Sequence, residues 1–529
     1  MASHEAGARS WAQDITSYLI YIILITTIGP LQFGFHLAEL NAPQAVIICE
    51  KKAISTASAP SLPQCIPMTP AQFGLVSSIF TLGGLIGALA AGPCSTKYGR
   101  LLTMRFTTIF FTVGPLFEAL APNIPTMSIG RFLSGLGAGA AIVVVPIYIS
   151  EIAPPKEKGL FGALTQVMIN LGILLAQSLG YFLSRDQLWR VILAVGGCIG
   201  FSQLLGLLGV VESPKWSAAH GKPQTAKRNL KKIRGTFVNI EDEVDDWNVD
   251  ERDFAGRMES FIVSHGSCNY ELEHIFQRNA DEKPAAAEEE GLLGDPDAPS
   301  ANSSTTLASK HSAKESTVGI FEVVRNPIYR PAIVAVVGVM LAQQLCGINS
   351  IVMYSVSLLS TLLPTTSALL TVIVAAINLI VTLLCAPLAD RLGRKACLLL
   401  SIAGMGTNSL LLAISLLYSI KPLSAIAMLL FVASFAVGLG PVPFILASEL
   451  VGQEAVGAAQ SWALAANWIA TFVVAQFFPV LNESLGKGKV YFVFMGLAAM
   501  FFVFVVWAVP ETKGKRDADD VWGRERRVD

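Results

Sequence analysis

The sequence predicts an all-α membrane protein, with twelve transmembrane helices in two six-helix pseudo-repeats and a cytoplasmic helical insertion between them. Three observations predict it. The 529 residues are 53% hydrophobic and only 15% charged, with mean hydropathy +0.55, too apolar for an ordinary soluble globule. Apolar segments of about 20 residues, enough for one bilayer crossing each, recur along the chain. Short motifs of the first half also return in the second: TKYGR (96–100) as DRLGR (390–394), PIYISE ending at Glu151 as PFILASE ending at Glu449, and VESPK from Val211 as VPETK from Val509. Three pairs sharing an offset of about 300 residues mean two copies of one six-helix unit in the same order.

Residues 1–17 are polar and meet the first apolar segment without a small-residue cleavage site, so they read as an uncleaved cytoplasmic tail. The first bundle, 18–212, holds spans near 18–40, 71–93, 102–121, 126–150, 160–183 and 190–211. The second, 321–509, holds spans near 331–359, 366–388, 396–418, 423–447, 455–480 and 489–509, and 510–529 form a second tail. Basic residues set the orientation: Lys97, Arg100 and Arg105, then Lys156 and Lys158, then Arg391, Arg394 and Lys395, then Lys513, Lys515 and Arg516 fall on one side. Fewer fall opposite (Lys51, Lys52, Arg185, Lys487, Lys489), which places both termini in the cytoplasm. Between the bundles, 213–320 begins with a basic stretch, KPQTAKRNLKKIRG, continues with an acidic one of helical pattern, IEDEVDDWNVDERDF, and reads as disordered over about 280–318.

Net charge −1 gives no electrostatic footprint for nucleic acid. Eight cysteines without a CxxC pair indicate neither a zinc site nor a disulfide scaffold, and no metal or cofactor is expected. Cys49 and Cys65 share one outer loop. If that compartment is oxidising, a disulfide between them is worth about 3 kcal/mol.

The stretch QQLCGINSIVMY (343–354) places Gln343, Gln344 and Asn349 inside a long apolar run, with Gly347 interrupting the helix. An unpaired amide in lipid costs several kcal/mol, so these three need polar partners, either neighbouring helices or a solute. Amides both donate and accept, which suits a neutral polyhydroxylated solute better than an ion. Parallel halves of this kind also build secondary transporters, with the solute near mid-membrane between them. No GxxxxGK[ST] phosphate loop occurs, so an ATP-driven pump is not indicated.

The chain resembles the sugar porters of the major facilitator superfamily over nearly its whole length, and a fungal subgroup more than an animal carrier. The motifs that carry the resemblance include FGFHLAELNAPQ (33–44), GRFLSGLGAG (130–139), VPIYISEIAP (145–154), ESPKW (212–216), QQLCGIN (343–349), DRLGRK (390–395), GPVPF (440–444) and PETKG (510–514). The resemblance implies a rocking carrier, not an enzyme, with Gln166, Gln343, Gln344, Asn349, Asn378 and Asn467 around the sugar hydroxyls. It puts Phe444 where many relatives stack a Trp, Tyr354 at a gate, and Met353 in place of a second gating aromatic. Lys97, Arg100, Glu151, Lys158 and Glu212, with Asp390, Arg391, Arg394, Glu449 and Glu511, are expected to form cytoplasmic salt bridges that latch and release.

His36 stands where proton-coupled relatives carry Asp and facilitative ones Asn. Glu39 follows on the same helix face, and Arg131 lies at similar depth on the fourth span, so the two are expected to pair. That pair is a candidate proton site, or else a permanent ion pair, with His36 as a neutral partner. The expected function is transport of a hexose-like sugar or polyol by alternating access, by uniport or proton symport. The alternative is a non-transporting sensor on a carrier fold. The expected location is the plasma or the vacuolar membrane.

Overall fold

The computed structural model describes residues 16–50, 62–154, 158–235, 240–241, 243–244, 321–360, 367–385, 388–452, 455–486, 488–515 and 518–524. The membrane unit comprises Met1–Ile240 with Glu315–Arg526; a second unit, Glu241–Lys314 with Arg527–Asp529, contributes only Glu241, Glu243 and Val244 to the described residues. The segment 280–318 and most of the acidic stretch therefore lie outside the described residues.

The spans are α1 (Ser17–Ala38), α2 (Pro70–Tyr98), α3 (Arg100–Ala119), α4 (Ile124–Ile152), α5 (Lys158–Leu183) and α6 (Trp189–Gly206), then α7 (Arg330–Leu345 and Ile348–Ser360), α8 (Ser367–Cys385), α9 (Arg394–Leu417), α10 (Lys421–Val437 and Val442–Glu449), α11 (Val456–Leu485) and α12 (Val490–Ala508). Local chemistry starts them. Thr69 caps α2 in a reciprocal capping box with Gln72, and Pro70 fills a position whose N–H would lack a partner. Asn123 caps α4 in the same way without the reciprocal bond.

Among the described residues, eleven of the twelve helices are long and apolar enough to cross a membrane. The exception is α3, 20 residues long but diluted by Arg105 and Glu118. The first part of the insertion forms two short helices, Pro214–Ala219 and Pro223–Arg234. The second buries Ala226, Leu230 and Ile233 on one face and leaves its lysines outside.

Equivalent helices pack alike in the two halves. α2 packs on α4 as α8 does on α10; α3 on α4 and α6 as α9 does on α10 and α12; α1 on α5 as α7 does on α11. The halves meet along α2–α11 and α5–α8, which the internal repeat interchanges. The α2–α4 contact is the most intimate, and glycines make it so. Cβ atoms at Gly83, Gly87, Gly135 or Gly139 would collide with the backbone of the facing helix.

Cys49 is bonded to Cys65 across 16 positions. The loop is anchored further by the Trp189 indole, which donates to Gln64 O at 2.9 Å, and by Arg190, which donates to Pro63 O at 2.8 Å. Reduction, or Cys65→Ser, is expected to lower stability by up to about 3 kcal/mol on the loop-entropy account. Thermal unfolding with and without reductant checks this, and an unchanged midpoint would show that the Trp189 and Arg190 anchors suffice.

Candidate functional site

Four of the six expected solute-binding amides form one hydrogen-bonded group. Gly347, at φ +100, breaks α7, and α10 is broken at Gly438–Pro441, a second interruption the sequence reading does not anticipate. Gln343 lies between the breaks. Its amide N–H donates to Leu439 O at 2.6 Å and Gly440 O at 3.0 Å, and its oxygen accepts from Asn467 on α11 at 2.5 Å. Gln344 donates to Asn467 at 3.2 Å and accepts from Asn349 at 2.6 Å. In this conformation these amides satisfy one another and the frayed backbone of α10, which is the helix-fastening role.

The other amides sit across the α5–α8 seam. Asn378 donates to Asn170 at 3.2 Å, Asn170 donates to Thr382 at 2.8 Å, and Gln166 lies 3.5 Å from Asn170. Asn170 and Gln177, absent from the sequence expectation, thus belong to the same surface; a polar residue facing another helix three turns into an apolar span was the available signal. A small cavity between α5, α7 and α8 is lined by Gln177, Ile351, Ser355, Thr371, Val374 and Asn378. Gln177 Oε1 and Asn378 Oδ1 are buried and have no hydrogen-bond partner among the described residues. Phe444, on the second segment of α10, is 41% exposed and lies outside both amide groups.

Tyr354 is buried, donates to Ala475 O at 2.6 Å, stacks on Phe478 at 5.3 Å and meets Phe73 of the first half edge-on at 6.1 Å. Asn41 donates to Ser355 at 2.8 Å and accepts from Val356 N at 3.1 Å. These contacts close the two halves together toward the end that carries the Cys49–Cys65 loop.

Near that same end is a fully buried charged group. Arg131 Nη1 donates to Glu39 at 2.6 Å and to His36 O at 2.8 Å, and its guanidinium lies 4.6 Å from the Phe80 ring. His36 Nδ1 is 3.0 Å from Glu39. Glu118 of α3, which the sequence reading passed over, is also here, 3.8 Å from Arg131.

At the opposite end the repeat builds one device twice. Gly99 (φ +98) and Gly393 (φ +104) turn the chain from α2 into α3 and from α8 toward α9. Glu212 accepts from Arg100 N at 3.0 Å and Leu101 N at 3.1 Å; Glu511 accepts from Arg394 N at 2.9 Å and Lys395 N at 3.1 Å. A Cβ on either glycine would collide with that carboxylate. In this conformation these two glutamates cap helix N-termini. Burial pushes the Glu212 carboxyl above the usual carboxylate range, against the pull of the backbone N–H groups of Ser213, Leu101 and Arg100.

Among the described residues, side-chain ion pairs at this end include Arg100–Glu151 at 2.7 Å and Arg394–Glu449 at 2.9 Å, each within one half. Lys97 lies over the Tyr98 ring at 5.2 Å, and Arg391 is exposed with its carbonyl taken by Lys513. The side chains of Lys158 and Asp390 lie outside the described residues.

Two interchangeable six-helix halves, meeting along two seams with buried amides between them, define a secondary transporter of the major facilitator fold. The chain belongs to the sugar (and other) transporter family, whose model matches residues 22–267 and 276–517. It is 33% identical over 528 residues, 98% of each chain, to a probable metabolite transport protein of Saccharomyces cerevisiae. It is 28% identical over 520 residues, 96% of this chain and 92% of the other, to human facilitated glucose transporter member 3. The fold matches the inward-open xylose transporter XylE from E. coli with TM-score 0.69 at 23% identity, covering 96% of this chain and 99% of that one. It is a transporter rather than an enzyme.

Proposed function

We propose that the protein carries a neutral monosaccharide or related polyol by alternating access, and that Gln166, Gln177 and Asn378 face the solute together with Gln343, Gln344, Asn349 and Asn467. The supporting observation is the pair of buried acceptors, Gln177 Oε1 and Asn378 Oδ1, in the cavity between α5, α7 and α8. Carboxamide oxygens without donors suit the O–H groups of a sugar, and no charged side chain lines that cavity. Four or five hydrogen bonds at about 0.5–1.5 kcal/mol each give about −4 kcal/mol, millimolar binding, weak enough for release. Tyr354 serves as a gate, and Phe444 offers less stacking surface than a Trp.

Proton coupling through Glu39 and Arg131 is favoured by their complete burial with His36 as neighbour, since ionisable groups are kept inside a membrane for a use. In this reading the Arg100–Glu151 and Arg394–Glu449 pairs shift as the halves rock. Both termini are cytoplasmic, and the protein resides in the plasma or vacuolar membrane.

Uptake of labelled sugars into liposomes, with and without a pH gradient, tests both statements. Saturable flux is expected, with gradient-driven accumulation that Glu39→Gln abolishes. Binding without flux would instead identify a sensor, and accumulation unchanged in Glu39→Gln would remove the proton role.

A further inference from the structure

The buried charged group contains more acid than a single Glu–Arg pair requires. Glu118 is fully buried on the last turn of α3. One of its oxygens accepts from Ser134 Oγ at 2.6 Å. The other, Oε2, lies 3.8 Å from Arg131 and has no hydrogen-bond partner among the described residues. Glu39, by contrast, is fully served, by Arg131 at 2.6 Å and by His36 Nδ1 near both oxygens. One atom each of His36, Glu39 and Glu118 lie within 4.8 Å of one another.

Among the described residues, the surrounding elements bring no second cation to Glu118. From α2 the Phe80 ring lies 4.6 Å from the Arg131 guanidinium. From α6, Arg190 is committed to the carbonyl oxygens of Ala119, Ala121 and Pro63. From α1, His36 stacks on Phe111, and its Nε2 has no partner, so a cationic imidazole would strand an N–H in the core. From α4, the polar groups that face it among the described residues are Arg131 and Ser134. A metal ion would have to sit against the Arg131 guanidinium.

One fixed positive charge therefore faces two carboxyl groups without solvent, where an unpaired ion costs far more than a protonated acid. We propose that Glu118 is a proton-binding residue: its carboxyl is the neutral acid of the cluster, with the O–H at Oε2 directed toward the Glu39 carboxylate. Arg131 then serves Glu39 alone. Losing the proton from Glu118 draws the guanidinium between two carboxylates and weakens its bond to His36 O, which ties α4 to α1.

The functional part of this inference rests on the carrier reading, whereas the protonation itself does not. Infrared spectroscopy of the full-length protein in lipid, near neutral pH, reads the protonation directly. An un-ionised carboxylic acid band is expected in wild type, absent in Glu118→Gln and restored in Glu118→Asp. Ser134→Ala, which removes the one hydroxyl on Glu118, is expected to keep the band and shift it, and this holds even if the Glu118 variants fail to fold. A band that survives Glu118→Gln, or is missing from wild type, overturns the proposal.

In sugar counterflow, wild type is expected to lose rate on the alkaline side. Glu118→Gln, which imitates the neutral acid, is expected to remove that fall. An alkaline fall unchanged in Glu118→Gln would overturn the functional part. Absence of flux at every pH would overturn the carrier reading, with the infrared result still deciding the protonation.

Discussion

Arg131→Met is expected to destabilise the protein by about 3–5 kcal/mol, because removing one partner of a buried ion pair leaves the other charge uncompensated. Arg131 is fully buried, and its Nη1 alone serves Glu39 and the His36 carbonyl. Met fills much of the same volume over the Phe80 ring, so packing changes little and the loss reports electrostatics. The double variant Arg131→Met with Glu39→Gln is expected to recover a large part of the loss, since the stranded charge is then absent. Thermal unfolding in detergent across the cycle measures it. A loss under about 1 kcal/mol for the single variant, the size of an exposed pair, would mean that water reaches the site.

That group shows how far the sequence speaks. Glu39 and Arg131 were legible because each interrupts a strongly apolar run, and lipid leaves such residues few alternatives to pairing. Glu118 was not, because it stands one residue from the end of α3, where a lone acid looks interfacial. Its burial comes from Gly114 and Gly130, which bring α3 and α4 so close that a Cβ on Gly130 would touch the Glu118 side chain.

The two-fold repeat was legible in short motifs, and their geometry explains why those motifs recur. Gly-Arg followed far along the chain by Glu is a left-handed turn that only glycine makes easily, with an anion seated on the helix start beyond it. What the motif does not disclose is that the anion comes from the end of α6 or α12, more than a hundred residues away. Charge and position alone therefore suggested a latch at Glu212 and Glu511 where the structure has caps. The break in α10 escaped for a related reason. Gly-Pro-Val-Pro announces a weakened helix, but whether it opens depends on a partner for the freed carbonyls, and that partner, Gln343, lies on α7.

Gln343→Leu isolates that dependence. The substitution keeps a side chain of similar length in a buried position and removes the bonds to Leu439 O, Gly440 O and Asn467 Nδ2. Three buried polar groups lose a partner at about 1–3 kcal/mol each, so a loss of roughly 3–9 kcal/mol is expected if nothing relaxes. Gln343→Glu, which retains the acceptor and loses the donor, is expected to spare the Asn467 bond and still free both carbonyls of α10. Sugar binding should weaken in both variants, because Asn467 and the α10 break are held by the residue being removed. Unfolding midpoints paired with binding isotherms separate the effects. A variant that keeps full stability while losing only affinity would show that Gln343 spends its amide on the solute and that the α10 break is held by other groups.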